Sequence, residues 1–136
     1  LRGLLENLLA PYQNADGTRI RITGDDPLVD DRGATPLALL FHELATNAAK
    51  YGALSVSDGR VELQSTIETD RIVLTWQEVE GPPVIGQPGA TGFGSQLVKM
   101  SVEQQMLGSI FQRWELDGLI VKVKLPLESL SRSTTA

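Results

Sequence analysis

Apolar residues recur with a helical period in three segments of the chain. The first, LRGLLENLLAPY, places its leucines on one stripe and stops at Pro11. The second, ATPLALLFHELATNAAKYG, has the strongest helical pattern. Thr35 is its expected N-cap, Pro36 suits its first turn, and Gly52 lies near its C-terminal end. The third, SQLVKMSVEQQM, is compatible with a helix that has one apolar side.

Alternating apolar and polar residues predict five strands. RIRIT is a short strand between the first two helices. Two hairpins follow, one turning at Thr69-Asp70 and one at Asp117-Gly118. Their strands are RVELQSTIE with RIVLTW, and SIFQRWEL with LIVKVKL.

This order of elements predicts an α+β fold, a two-layer sandwich in which helices cover one face of a mixed, mainly antiparallel β-sheet. There is no internal repeat and no sign of a second domain. We expect one domain over residues 1–128 and a disordered polar tail over 129–136.

Composition limits the classes of partner. The 136 residues carry a net charge of -5, which argues against nucleic acid as a partner and against contact between this domain and an anionic membrane. The absence of cysteine excludes disulfides and thiolate metal sites and fits the cytoplasm. No apolar run reaches the ~20 residues of a membrane span, and there is no signal-peptide pattern.

The second helix carries a polar stripe beside its apolar face. Glu43, Asn47 and Lys50 follow at helical spacing, with His42 and Thr46 beside them. An amide oxygen can bind a hard cation, an ammonium can meet phosphate, and a carboxylate can orient or deprotonate an attacking group. A solvated helix face with a Glu–Lys pair is the alternative, and the helix alone favours it.

Two further segments carry candidate chemistry. GFGS, Gly92 to Ser95, leads into a helix and could present backbone N–H groups to an anion, although this segment alone favours a simple turn. It matches neither a Walker loop nor a dinucleotide fingerprint. Glu78 ends a strand before a glycine-proline turn, where it could accept a hydrogen bond from an adenine amino group or be an ordinary exposed acid. Trp76 continues an apolar strand face, which favours a core position over a stacking role.

In this order and spacing, the segments resemble the ATP-binding domain of histidine kinases, a branch of the split-ATPase (Bergerat) fold family. HELATNAAKYGALS resembles the N box, TWQEVEGPPV the first glycine box, and TGFGSQLV the second. The match is narrower still to the HWE subfamily, which is named for a histidine in the N box and a Trp-x-Glu in the first glycine box. Here these residues are His42, Trp76 and Glu78.

The resemblance implies roles for individual residues. Asn47 would ligate a Mg²⁺ that bridges the phosphates, and Glu43, with His42 beside it, would act in catalysis by activating the phosphoryl acceptor. Lys50 would contact phosphate and Tyr51 would line the nucleotide pocket. The other nucleotide-binding positions are the adenine-reading acid, the first glycine box and the phosphate-contacting turn: Glu78, Gly81, Gly92, Phe93, Gly94 and Ser95.

Three positions depart from the family pattern. Glu80 stands where many relatives have a glycine, which we expect to add bulk and charge near the base. Residues Val84 to Thr91 leave only a short lid over the nucleotide. Leu119 occupies a position that is threonine in many histidine kinases, so a hydroxyl contact is lost or supplied elsewhere.

The implied activity is transfer of the ATP γ-phosphoryl group to a histidine, and then to an aspartate of a response-regulator receiver domain. His42 is the only histidine, and its N-box position argues against its being the acceptor. It could instead order Glu43 or a phosphate, or simply pack the helix. We therefore expect the acceptor on a helical dimerisation segment of a longer, homodimeric protein, with residues 1–12 as the junction.

Two rival functions remain open at this point. An anti-sigma-factor serine kinase has the same fold, but His42 and the Trp-x-Glu pair match it poorly. A non-catalytic docking module would tolerate the loss of Glu43, Asn47 or Lys50, and all three are present.

Overall fold

The computed structural model describes residues 1–82, 98–115 and 118–131. Two long helices, five strands and several short helical turns follow in chain order. They are α1 (Arg2–Leu9), a 3₁₀ turn (Ala10–Tyr12), β1 (Ile20–Gly24), α2 (Asp31–Lys50), a 3₁₀ turn (Ala53–Ser55), β2 (Arg60–Glu68), β3 (Arg71–Val79), a π-helical turn (Ser101–Gln105), β4 (Ser109–Glu115), β5 (Gly118–Pro126) and a 3₁₀ turn (Leu127–Ser129).

The strands form one sheet in the order β1-β2-β3-β5-β4. β1 runs parallel to β2, and every other neighbouring pair is antiparallel. The predicted mixed, mainly antiparallel α+β sandwich is therefore confirmed. Both predicted hairpins are present: Glu68 pairs with Arg71 in the first, and Glu115 pairs with Gly118 in the second.

A single core lies between one face of the sheet and the helices. Alternate residues of β2, β3 and β5 point into it, as strand geometry requires. The apolar faces predicted for α1 and α2 supply the other side. The buried residues of these two helices are Leu5, Leu9, Gly33, Pro36, Leu37, Leu40, Phe41, Leu44, Ala45 and Ala48.

α2 begins earlier than its sequence pattern predicts. Its N-cap is Asp30, whose side chain accepts a hydrogen bond from the Arg32 N–H at 3.0 Å, so the expected cap at Thr35 is wrong. Pro36 lies inside the helix and is buried. Asp30 is a strong capping residue, but the turn-rich segment GDDPLVDD around it obscured this signal.

The third helical segment is only partly described. Residues 98–100 are helical and continue into the π-helical turn, where the Met106 N–H donates to the Ser101 carbonyl oxygen at 3.1 Å. Val98, Val102 and Met106 are buried, as the predicted apolar side requires.

The C-terminal part of the chain is ordered for longer than predicted. Leu130 is fully buried, and its carbonyl oxygen accepts a hydrogen bond from the Asp30 N–H at 2.9 Å. Ser131 is buried too, so the disordered tail expected over 129–136 cannot begin at 129. Residues 132–136 lie outside the described part of the chain.

β1 is an edge strand whose open side is partly covered by side chains. The Gln13 side-chain amide donates to the Ile20 carbonyl oxygen at 2.8 Å and accepts from the Ile20 N–H at 2.9 Å. The Arg2 guanidinium donates to the Gly24 carbonyl oxygen at 2.8 Å. In the described part of the chain, no helix has the length and apolar character needed to cross a membrane.

Candidate functional site

The polar stripe of α2 is formed as the helical spacing predicts. The Asn47 Nδ2 donates a hydrogen bond to the Glu43 Oε1 at 3.3 Å, and both side chains are half-buried. This contact uses the amide nitrogen, so the Asn47 Oδ1 remains available as an oxygen ligand. Lys50 lies at the last residue of the helix and is exposed.

His42 is exposed on α2 beside Glu43. Its backbone carbonyl oxygen accepts a hydrogen bond from the Thr46 hydroxyl at 2.7 Å, but its imidazole makes no hydrogen bond within the described ranges. The structure therefore does not support a helix-packing role for this histidine.

Glu78 is the one acidic side chain that is buried in the described part of the chain, at 4% exposure. It lies near the end of β3 and points to the core face. Its Oε1 accepts from the Ala53 N–H at 3.0 Å, and its Oε2 accepts from the Trp76 Nε1–H at 3.2 Å. Burial raises the pKa of the Glu78 carboxyl above its usual value, and the two hydrogen bonds oppose the rise.

Two glycines allow Glu78 to sit at the end of α2. A Cβ atom added at Gly52 would lie 2.0 Å from the Glu78 Oε1 and 3.1 Å from the Ala48 Cα. A Cβ atom at Gly118 would lie 2.3 Å from the Glu78 carbonyl oxygen. The Glu78 carboxylate is thus packed against the turn that follows Asn47, and the N box and the first glycine box meet in space.

Arg19 fixes the turn that supplies the Ala53 N–H. Its Nη2 donates to the carbonyl oxygens of Leu54 at 3.0 Å and Val56 at 2.5 Å. Sequence reasoning missed this contact, because Arg19 looks like an ordinary polar residue at the start of a strand.

Glu80 forms an ion pair with Arg60 of β2. It adopts a left-handed backbone conformation, with φ at +57°, and its carboxylate pairs with the Arg60 guanidinium at 2.9 Å. Glycine adopts this conformation without steric cost, which explains why a glycine suits the position in the family pattern. The expectation that Glu80 adds bulk and charge near the base stays a prediction, and the structure adds that Arg60 partly neutralises this charge.

The remaining predicted site residues fall into two groups. Tyr51 is the C-cap of α2 and is 75% exposed, while Gly81 is half-buried against Ala53. Gly92, Phe93, Gly94 and Ser95, together with the whole of the predicted lid, lie outside the described residues. Leu119, at the position that is threonine in many histidine kinases, is buried in the core.

The proteins of known sequence that resemble this chain are named as histidine kinases. No family profile matches the chain. The chain is 37% identical over 126 residues to blue-light-activated histidine kinase 1 of Erythrobacter litoralis, and it covers 35% of that protein. It is 35% identical over 123 residues to the blue-light-activated histidine kinase of Brucella ovis, and it covers 25% of that protein. These alignments span 91% and 88% of the chain, so the similarity extends over nearly all of it.

Solved structures share the fold. The histidine kinase domain of Erythrobacter litoralis EL346 matches 91% of the chain and 58% of its own length, with a TM-score of 0.71 and 20% identity. Histidine kinase ThkA, solved in complex with the response regulator protein TrrA, matches 95% of the chain and 41% of its own length at a TM-score of 0.68 and 15% identity. Full-length ShkA, solved in complex with AMPPNP, matches 91% of the chain and 29% of its own length at a TM-score of 0.65 and 20% identity.

Proposed function

We propose that this chain, which has the sequence and fold of a histidine-kinase catalytic domain of the HWE type, binds ATP and transfers its γ-phosphoryl group to a histidine of the same protein. One observation carries the proposal most directly. The buried Glu78 carboxylate lies against the C-terminal turn of α2, the helix that bears Asn47 and Glu43. The carboxylate that would bind the base therefore lies close to the helix whose Asn47 and Lys50 would bind the metal ion and the phosphates.

Glu78 is suited to read adenine. A carboxylate oxygen has more than one lone pair, so each oxygen can still accept a hydrogen bond from a ligand after its contact with Ala53 or Trp76. A 6-amino purine offers such a donor, whereas a 6-oxo purine presents an acceptor and would be repelled.

The phosphates would lie toward the polar stripe of α2. Lys50 is exposed at the helix end and provides a positive charge, and the Gly92–Ser95 turn would add backbone N–H donors. The free amide oxygen of Asn47 suits Mg²⁺, which prefers oxygen ligands and keeps several of its ligands from phosphate and water. Bound Mg²⁺ would offset negative charge on the phosphates.

Phosphoryl transfer then depends on positioning. A nitrogen of the acceptor imidazole attacks the γ-phosphorus, the bond from that phosphorus to the bridging oxygen breaks, and ADP leaves. Glu43, held by Asn47, would orient and poise the acceptor imidazole, and the exposed His42 beside it would contact the acceptor or a phosphate.

The acceptor and later partners belong to the whole protein. We propose a helical dimerisation domain that carries the acceptor histidine, a homodimeric cytoplasmic protein, and a response-regulator aspartate as the next acceptor. The complex of ThkA with TrrA supports the last step by similarity of fold.

Calorimetric titration with AMPPNP tests the proposal. We expect Mg²⁺-dependent binding by the chain and a roughly tenfold or greater loss in Asn47→Ala, because a lost interaction with a charged group is worth about 1.5–3 kcal/mol.

Asn7→Ala is the matched control, since Asn7 is exposed on α1, away from the site. It should bind like the unaltered chain. Absence of binding by the folded, unaltered chain would refute the proposed function.

A further inference from the structure

We propose that Trp76 is a positioning residue for nucleotide recognition, whose indole N–H holds the Glu78 carboxylate in the orientation that accepts a hydrogen bond from a 6-amino purine. The inference rests on the proposed function and deepens it. It gives Trp76 a role in selectivity in addition to its place in the core.

The indole is held in a fixed position. Trp76 is 1% exposed on β3, and it lies two residues before Glu78, so both side chains point to the same face of the sheet. Its ring packs against Phe41 of α2, with ring centroids 6.1 Å apart and planes inclined by 41°. The Nε1 donor is therefore aimed at the Glu78 Oε2 by packing rather than by a flexible tether.

The carboxylate is held at both oxygens. Trp76 donates to Oε2 at 3.2 Å, and Ala53 donates to Oε1 at 3.0 Å from a turn that Arg19 fastens. One hydrogen bond would leave the carboxyl group free to rotate about its bond to the side chain, whereas two bonds to different oxygens fix its plane. A fixed plane determines where the remaining lone pairs point, and hence where a base must lie to donate to them.

The same hydrogen bond favours the ionised form of the acceptor. Burial raises the pKa of Glu78, and the bonds from Ala53 and Trp76 lower it. The residues around Glu78 are neutral: Gly52, Ala53 and Trp76 lie against its carboxyl, while Val61 of β2 and Gly118 of β5 lie beside its backbone. No charged side chain of the described residues contributes to the shift, so loss of the indole donor would raise the pKa further.

The chain offers a matched control. Trp114 on β4 also has a buried indole nitrogen, but this nitrogen has no hydrogen-bond partner within the described ranges. Trp76→Phe and Trp114→Phe therefore make the same chemical change, and only the first removes a hydrogen bond to Glu78.

The experiment compares two diphosphates across pH: ADP, and the purine riboside diphosphate that lacks the 6-amino group. The unaltered chain should prefer ADP, and its preference should fall as pH falls through the pKa of Glu78. In Trp76→Phe we expect a roughly tenfold loss of ADP affinity, little change for the other nucleotide, and a midpoint at higher pH than in the unaltered chain. Trp114→Phe should keep the preference and the midpoint.

A second measurement needs no change at Trp76. The sequence has two tryptophans, so Trp114→Phe leaves one indole N–H resonance. In an acid titration of nucleotide-free protein, this resonance should move as Glu78 is protonated, because its acceptor changes charge.

The possible results distinguish failure of the role proposed for Trp76 from failure of the proposed function. If the unaltered chain prefers ADP but folded Trp76→Phe keeps the same preference and midpoint, or if the indole resonance does not move, Trp76 is only a core residue. If the unaltered chain binds neither diphosphate, the proposed function fails together with the inference.

Discussion

At the scale of single residues, the site depends on a few atoms that are brought unusually close together. Glu78 is the best example, because a buried acid must be compensated by hydrogen bonds if it is to remain charged. The sequence indicated the acid and its adenine-reading role through its motif. It indicated Gly52 and Gly118 only as helix-end and turn residues and did not indicate Arg19, because the contacts of these three residues are with residues distant in the chain.

Gly52→Ala should impair the site by steric conflict. The new Cβ atom would lie 2.0 Å from the Glu78 Oε1, so the carboxylate would have to move away from the Ala53 N–H. We expect a roughly tenfold or greater loss of ADP affinity, and a loss of about 1–3 kcal/mol in the free energy of unfolding. Calorimetric titration and urea unfolding measure the two effects.

Gly3→Ala is the control for this change. Gly3 lies in α1, and a Cβ atom there would meet nothing within 4 Å. This substitution should stabilise the chain by roughly 0.5–1 kcal/mol and leave ADP affinity unchanged. If Gly52→Ala and Gly3→Ala have the same ADP affinity and the same free energy of unfolding, Gly52 does not lie against the Glu78 carboxylate.

The buried acid should also affect stability as a function of pH. The folded-state pKa of Glu78 is raised above 4.5, so the folded state binds more protons than the unfolded state between the two pKa values. The contribution of this group to the free energy of unfolding must therefore fall as pH rises through that window. The comparison is the difference in free energy of unfolding between the unaltered chain and Glu78→Gln, measured by urea unfolding at several pH values. A difference that rises with pH would mean that the pKa of Glu78 is lowered.

At the scale of elements, the period of apolar residues predicted helices and strands correctly where each element buries one regular face. The apolar stripe of α2 and the β2–β3 hairpin were predicted because each buries one face in a regular way. The ends of elements were predicted less well. The cap at Asp30 is a local side-chain hydrogen bond, and the π-helical turn at Ser101–Gln105 is a local change in the backbone hydrogen-bond pattern; an apolar period contains neither.

The backbone of Thr69, in the turn of the β2–β3 hairpin, is in a strained conformation. Thr69 has φ at +60°, a left-handed conformation that is unfavourable for a β-branched residue. Thr69→Gly should raise the free energy of unfolding by roughly 0.5–1 kcal/mol, since relief of strain exceeds the entropic cost of glycine. Chemical denaturation measures this difference.

Thr66→Gly provides the opposite case within the same hairpin. Thr66 is exposed in β2 and pairs with Val73, so glycine there should destabilise the chain by about 1 kcal/mol. If both substitutions destabilise the chain, the turn at Thr69 is not strained.

At the scale of the whole molecule, the order of the strands in the sheet determines which candidate site residues lie close together. β3 lies in the middle of the sheet between β2 and β5, and this places Glu78 beside Gly118 and below the end of α2. The sequence predicted the sandwich but not this strand order, because local patterns do not specify which strands pair over long separations. The family resemblance, rather than periodicity, predicted that the N box and the first glycine box lie close together, and the described residues place them in contact.

The hydrogen bonds from Gln13 and Arg2 to the β1 edge affect how readily this edge could start aggregation. An uncovered strand edge is a template on which a second copy of a chain can add a strand and begin an aggregate. The Gln13 amide takes the place that an intruding backbone would need at Ile20, and Arg2 occupies the carbonyl of Gly24. Gln13 and Arg2 therefore hinder the addition of a strand from another copy at Ile20 and Gly24 of this edge.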